Sequence, residues 1–173
     1  MKALILLSEI EAAFKARPRP ESVVRSDAPD TDEYDDARFF AGKTWESVRC
    51  ADFRQHPAAF SGFSPDALCY YLQSILHCTV KEEESSMNAV DTLVYMLDRG
   101  NSPSSWEDFF IERWCSLGSD ECRVIQAWLI WLQEVDPMAF SDSELTRAVD
   151  TLELLVHRSS ATPIAQGSRS RPL

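Results

Sequence analysis

The amino-acid sequence predicts an all-α fold: a single-domain helical bundle of about six to eight helices around a central Trp-rich helix. Apolar residues recur every three or four positions through most of the chain, which is the spacing of one helix face. No stretch alternates apolar and polar residues as a half-buried strand would. Prolines and capping residues stand at the ends of the periodic segments, where helices stop and start.

The first third of the chain holds one clear helix and a short acidic one. Residues 3–16 carry an apolar stripe, and Pro18 stops that helix. A short helix over Glu33–Phe40 would place its carboxylates at its N-terminal end, which the helix dipole favours, with Gly42 as its stop. A further short turn holds Trp45.

The middle of the chain contains a strong helix start. Ser64 is an N-cap and Pro65 the first helical residue of a segment that ends in the polar connector KEEESS. A second helix carries Val90, Leu93, Val94 and Leu97 on one face and closes at Gly100, and a third, from Trp106 to Leu117, has an aromatic face.

The last third contains the segment proposed as the centre of the bundle. VIQAWLIWLQEV is apolar over much of its circumference, which is typical of a central helix. Ser141 and Glu144 have the spacing of a capping box before a last helix, which runs to about His157. We therefore expect a single all-α domain over residues 1–157 and a disordered C-terminal tail over residues 158–173.

Composition is that of a globular, reduced protein. The 173 residues suit one domain, and 45% of them are hydrophobic. The five cysteines are odd in number and form no C-x-x-C pair, so we expect free thiols packed as small hydrophobes. The N-terminal apolar run is too short for a signal peptide, and no segment is long enough to span a membrane. The expectation is a soluble, cytoplasmic protein.

Charge is strongly negative and unevenly distributed. The formal net charge is -11, and residues 1–157 hold all 28 acidic side chains against 14 basic ones. Such a surface repels phosphate backbones, so we expect no binding to nucleic acid. A basic protein would be attracted to it.

The acidic segment, defined as Asp27–Asp36 (DAPDTDEYDD), contains six carboxylates in ten residues. It fails as a calcium loop, because registers starting at Asp30 or Asp32 put neither glycine at position 6 nor glutamate at position 12. Three interpretations stay open: weak binding of divalent cations, a solvated helix start, and a contact surface for another protein.

No pattern indicates catalysis or a cofactor. The three histidines are scattered, the cysteines lack zinc-site spacing, and the five glycines form no phosphate-binding loop. Neighbouring residues on a helix do not face each other, so His77 and Cys78 are not a catalytic pair. We expect no catalytic residue, no metal site, no cofactor and no enzyme activity.

Three stretches carry a resemblance to a known family. IEAAF at Ile10–Phe14, the acidic stretch Asp30–Val48 containing FAGKTW, and SPDALCYYL after Phe63 follow one another in order. This arrangement, an acidic segment, F-x-G-K-x-W and then S-P-E-A-x-x-Y-Y-L, resembles a family of small bacterial proteins that is known only as a domain of unknown function. The similarity covers about residues 8–98. Some members have cysteines in the acidic segment where this chain has Asp30 and its neighbours. Because those cysteines are missing here, the resemblance implies no thiol metal site in this chain. It implies a helical fold and a bacterial source.

Size, charge and the lack of a catalytic motif together favour a protein-binding role. Our hypothesis is an acidic cytosolic immunity protein, similar to an antitoxin, that binds and occludes a basic toxin domain. The alternative is a helical scaffold or adaptor, or a homo-oligomeric module, with an apolar aromatic contact surface at Trp106–Trp114. The residues expected to contact the basic partner are Asp30, Asp32, Glu33, Tyr34, Asp35, Asp36 and Trp45.

Overall fold

The computed structural model describes residues 2–161, which contain nine α-helices, two short 3₁₀ helices and no strand. The all-α class is confirmed, and the buried apolar side chains form one core. The 3₁₀ helices are Trp45–Ser47 and Pro103–Ser105. The α-helices are α1 (Lys2–Phe14), α2 (Asp32–Arg38), α3 (Cys50–Gln55), α4 (Ala59–Gly62), α5 (Pro65–Glu82), α6 (Asn88–Leu97), α7 (Asp108–Trp114), α8 (Ser119–Val135) and α9 (Asp142–Ala161).

Helix α5 contributes more buried residues than any other helix of the described chain. It begins as the sequence predicts, because the Ser64 hydroxyl accepts a hydrogen bond from the Ala67 N–H at 3.3 Å. It ends before Glu83, whose φ of 53° is left-handed. Thirteen of its eighteen residues are buried, and α1, α3 and α7 pack against it.

The central position predicted for the Trp-rich helix is not confirmed. Only eight of the seventeen residues of α8 are buried. Its apolar arc is wider than the surface that its neighbours cover. Ile130 and Val135 therefore face solvent. Helix α8 packs on α1 and α9 at one side of the bundle and reaches α5 through Trp128, whose indole N–H donates to the Thr79 hydroxyl at 2.9 Å.

The last helix starts where the capping box predicts and ends later than predicted. The Glu144 carboxylate accepts from the Ser141 N–H at 2.9 Å, and the Ser141 hydroxyl accepts from the Glu144 N–H at 3.3 Å. Helix α9 continues past His157 to Ala161. The rest of the predicted tail, residues 162–173, lies outside the described residues, so the division of the chain at residue 158 stays a prediction.

The helix with the predicted aromatic face is shorter than the pattern indicates. Trp106 stands before α7, in the turn that follows Pro103–Ser105, and its indole N–H donates to the Gly100 carbonyl at 2.9 Å. Phe110 and Trp114 point into the core and stack at 5.9 Å between ring centroids. The helix ends at Trp114, so Leu117 is a buried loop residue.

Every helix among the described residues is either too short or too polar to cross a membrane.

An aromatic cluster fixes the loop that follows α2 to the centre of the bundle. Phe40 lies in the core between Phe53 and Tyr71, at centroid distances of 5.0 and 5.4 Å. The Tyr71 hydroxyl is buried and donates to the carbonyl oxygens of Phe40, at 2.6 Å, and Lys43, at 3.0 Å. Gly42 turns the chain between them with a φ of 77°. Helix α5 therefore holds both ends of this loop.

Burial raises the pKa of Tyr71 to about 12, which predicts a specific alkaline instability. In the unfolded chain this phenol has a pKa of about 10, so the folded state favours the neutral form. Its contribution is complete below pH 10 and is lost as the pH rises toward 12. We expect the free energy of unfolding to fall by about 2 kcal/mol more in the wild type than in Tyr71→Phe over this range.

The measurement is urea unfolding of both proteins from pH 7 to pH 12. At pH 7 Tyr71→Phe should be about 1 kcal/mol less stable, because the carbonyls of Phe40 and Lys43 lose their donor. Parallel pH profiles for the two proteins would contradict the assignment.

A close approach of two backbones sets the position of α2. Gly62, at the end of α4, lies against α2, and a Cβ at this residue would stand 2.0 Å from the carbonyl oxygen of Glu33. The same Cβ would lie 3.1 Å from the Cβ of Ala37. Only glycine therefore allows α2 to pack on α4 at this distance.

Replacing Gly62 by alanine should destabilise the protein strongly. Because the clash is with backbone, α2 itself must move, and we expect a loss of at least about 2 kcal/mol in the free energy of unfolding. Gly100→Ala is the matched control, since the nearest atom to its new Cβ is the Ser105 hydroxyl oxygen at 3.9 Å. Equal urea midpoints for the two variants would show that α2 and α4 do not meet in this way.

Candidate protein-binding surface

The acidic segment enters α2, as the sequence predicts. The helix covers Asp32–Arg38 instead of Glu33–Phe40, and the Thr31 carbonyl accepts from the N–H groups of Tyr34 and Asp35 at 3.0 Å. Carboxylates occupy its first turn, where they face the positive end of the helix dipole. The acidic residues thus stand at one exposed end of a short helix that is fixed to α4.

Two of the outer carboxylates share one arginine. The guanidinium of Arg38 contacts Asp35 at 2.6 Å and Asp30 at 3.1 Å, and the side chain of Asp30 is 94% exposed. Asp32 is also exposed, and Glu33 is half-buried. Exposed pairs of this kind contribute little to stability. Arg38 follows the acidic segment by two residues, and it reduces the local negative charge.

Asp36 points inward and has a packing role. Its carboxylate contacts the His56 ring nitrogen Nδ1 at 3.1 Å and accepts from the Ala58 N–H at 2.9 Å. The Phe39 ring stacks on His56 at 3.8 Å. These contacts join α2 to the connection between α3 and α4, so Asp36 holds the exposed carboxylates in place.

The two aromatic residues of the expected site are held by different helices. Tyr34 is half-buried on α2. Trp45 is half-buried against α5, where its backbone N–H donates to the Tyr70 hydroxyl at 3.1 Å and its ring meets His77 edge-on at 5.2 Å. Tyr34 is therefore the aromatic residue that shares a helix with the carboxylates.

Behind α2, a buried arginine ties α7 to α4. The guanidinium of Arg113 donates to the carbonyls of Phe60 at 2.9 Å and Ser61 at 2.8 Å, and it lies 3.9 Å from the centroid of Phe109. Burial lowers its pKa to about 10, and the nearby Tyr34 opposes that shift. Arg113 is thus a buried positive charge whose hydrogen bonds go to backbone carbonyls.

A second surface, which the sequence analysis missed, is apolar. Ile5 of α1 and Ile130 of α8 are 55% and 57% exposed and line one groove of about 280 Å³ between these helices. Ile130 also lines a groove of about 360 Å³ between α8 and α9. The available signal was the wide apolar arc of α8, which exceeds what a helix on the side of a bundle can bury.

The chain matches one known protein family. The model of DUF6714, a family of unknown function, matches residues 3–152. The chain belongs to this family. The match extends beyond the resemblance drawn on residues 8–98 and includes α8 and half of α9. No curated protein and no solved structure matches the sequence.

The thiols of this DUF6714 protein are packed as the sequence predicts. All five cysteines are free, and four are buried: Cys50, Cys69, Cys78 and Cys122. Burial raises the pKa of the Cys122 thiol to about 12. Cys78 faces Cys50, at 3.1 Å between sulfur atoms, whereas His77 faces Glu11 at 3.3 Å. Among residues 2–161, no group of three or more His, Cys, Asp or Glu side chains could hold a metal ion.

The different roles of two carboxylates in this DUF6714 protein can be tested by alanine substitution. Asp36→Ala should lower the free energy of unfolding by about 2 kcal/mol, because a hydrogen-bonded charge that joins α2 to the next helices is removed. Asp32→Ala removes an exposed carboxylate and should cost less than about 1 kcal/mol. Urea unfolding at neutral pH measures both. A larger loss for Asp32→Ala would reverse the assignment.

Proposed function

We propose that this DUF6714 protein is an immunity protein, similar to an antitoxin, that binds and occludes a basic toxin domain in the bacterial cytoplasm. In this proposal it is not an enzyme, needs no cofactor, and binds neither nucleic acid nor a membrane. The observation that carries it is the set of carboxylates at the exposed end of α2 in a chain of net charge -11. A surface so charged attracts basic partners on approach, and this attraction weakens as the ionic strength rises and the Debye length shortens.

The proposed contact uses the exposed carboxylates and one aromatic side chain. Asp30 and Asp35 already bind a guanidinium, that of Arg38, which supports their use as ligands for an arginine or lysine of the partner. Asp32 and Glu33 add charge beside them, and Tyr34 supplies an aromatic contact among the charges. Asp36 and Trp45 support the surface from behind, since their contacts are to the body of the protein.

The experiment uses the protein encoded by the adjacent upstream gene, because immunity genes usually lie directly downstream of the toxin gene. The triple variant Asp30→Lys, Asp32→Lys, Asp35→Lys should associate with that protein at least about tenfold more slowly at low salt. Stopped-flow measurement of the association rate at several ionic strengths gives the comparison. Growth protection against the same protein should be lost in parallel.

A second triple variant controls for net charge. Glu46, Glu112 and Glu153 are exposed acidic residues outside α2, and their replacement by lysine changes the net charge by the same amount. This variant should keep most of the association rate and all of the protection. Equal slowing by both triple variants would mean that overall charge, and not the end of α2, attracts the partner. No effect of either would overturn the proposal.

The apolar surface favours a second candidate, a scaffold or adaptor role. Trp106, Phe110 and Trp114 are buried, so of the aromatic residues expected to form a surface at Trp106–Trp114 only Phe109 is largely exposed. The grooves beside Ile130 are the larger apolar surface. Binding there would depend weakly on salt when apolar contact dominates, whereas binding at α2 would weaken as salt rises.

A further inference from the structure

Three helices form a continuous apolar surface around one exposed side chain. Ile130 lies between the groove of α1 and α8 and the groove of α8 and α9, and its side chain is 57% exposed. We call these two grooves and Ile130 the Ile130 surface. Its floor is formed by apolar side chains of all three helices: Ile5, Leu6, Ala127, Leu129, Leu145 and Val149.

The groove between α8 and α9 has the form that accepts one side of a helix. Leu129, Leu145 and Val149 form its apolar part, and Leu129 and Leu145 are buried side chains that present only a small area to the groove. A volume of about 360 Å³ is enough for a row of two or three apolar side chains. Amphipathic helices bind grooves of this kind through residues spaced three or four apart.

The rim of the Ile130 surface is acidic. Glu134 and Asp142 stand at one end of the α8–α9 groove, and Glu9 stands beside the α1–α8 groove. All three are exposed. One basic residue lines the two grooves, Lys2, and it pairs with Glu134 at 2.8 Å. The rim therefore keeps an excess of negative charge around an apolar floor.

We propose that the Ile130 surface binds an amphipathic helical segment of a partner protein, with apolar residues on the contacting face and lysine or arginine at its edges. The apolar row enters the α8–α9 groove over Ile130, and the basic side chains reach Glu134 and Asp142. A second copy of this chain fits less well, because a two-fold contact would bring an acidic rim against an acidic rim. Charge complementarity thus selects a basic partner.

The inference rests on the second candidate function, an apolar contact surface, and is independent of the acidic residues of α2. Its test uses two synthetic peptides of about 18 residues, long enough for five helical turns. Both have the same leucine face, and their polar faces are lysine in one and glutamate in the other. Methyl NMR of the full chain should show shifts at Ile130, Leu145 and Val149 with the Leu/Lys peptide and none with the Leu/Glu peptide.

Variants locate the binding. Ile130→Ser should weaken binding of the Leu/Lys peptide at least about tenfold. The peptide would bury the exposed isoleucine of the wild type, and the serine variant lacks this apolar contact. Tyr95→Ser is the control: it removes another large exposed side chain, 73% exposed, on α6, and should change nothing. The α2 triple variant described above should keep most of the affinity. Replacing Glu134 by Gln and Asp142 by Asn should weaken binding severalfold and reduce its dependence on salt.

Four outcomes would overturn the proposal, and they are distinguishable. If both peptides bound with equal affinity and Ile130→Ser abolished this binding, the apolar contact would stand. The preference for a basic partner would then be refuted. If only the α2 triple variant lost binding, the peptide would bind at α2, and the Ile130 surface would not be its binding site. A dimer of the wild type that Ile130→Ser dissociates would make a second copy the occupant. Shifts of the Ile130 methyl on deletion of residues 162–173 would make that segment the occupant.

Discussion

Helix α5 must be covered on almost every side, and the rest of the bundle is arranged by that requirement. Two of its buried polar side chains have partners on other elements: Thr79 accepts from the indole of Trp128, and Tyr71 donates to the loop after α2. Because Tyr71 holds that loop and Gly62 lets α2 approach α4, the acidic end of α2 is presented by the core and not by a free loop. The position of the candidate surface therefore follows from the burial of one helix.

Three arginines of the described chain are used for internal contacts, and the surface stays acidic. Arg17 donates to Glu121 at the start of α8, and Arg147 binds Asp98 between α6 and α9. Arg113 is buried on backbone carbonyls. A surface excess of one charge destabilises the compact state through self-repulsion. Each of these contacts joins elements that are far apart in sequence, so these three arginines stabilise the bundle and do not pair with the exposed carboxylates of α2.

The sequence predicts those parts of the fold whose signals are local, such as the capping box at Ser141. It does not predict α3 and α4, because helices of four to six residues show no hydrophobic period and are stabilised by packing. The inward turn of Asp36 depends on His56, twenty residues later, and nothing in the acidic segment indicates it. The apolar composition of α8 predicted burial, yet composition does not say which apolar residues are covered, and Ile130 is not.

The negative charge restricts the kinds of protein that the exposed apolar surface can bind. An apolar surface alone favours self-association, which an acidic rim opposes whenever two copies meet in a two-fold arrangement. The same rim attracts a basic partner. The negative charge therefore disfavours contact between two copies of the chain and favours contact with a basic protein. Because α2 is acidic as well, both candidate surfaces select partners of the same sign, although the apolar contact, which salt does not screen, lies mainly at the Ile130 surface. A partner with a basic amphipathic helix would thus be held most strongly where charge and apolar contact coincide, beside Ile130.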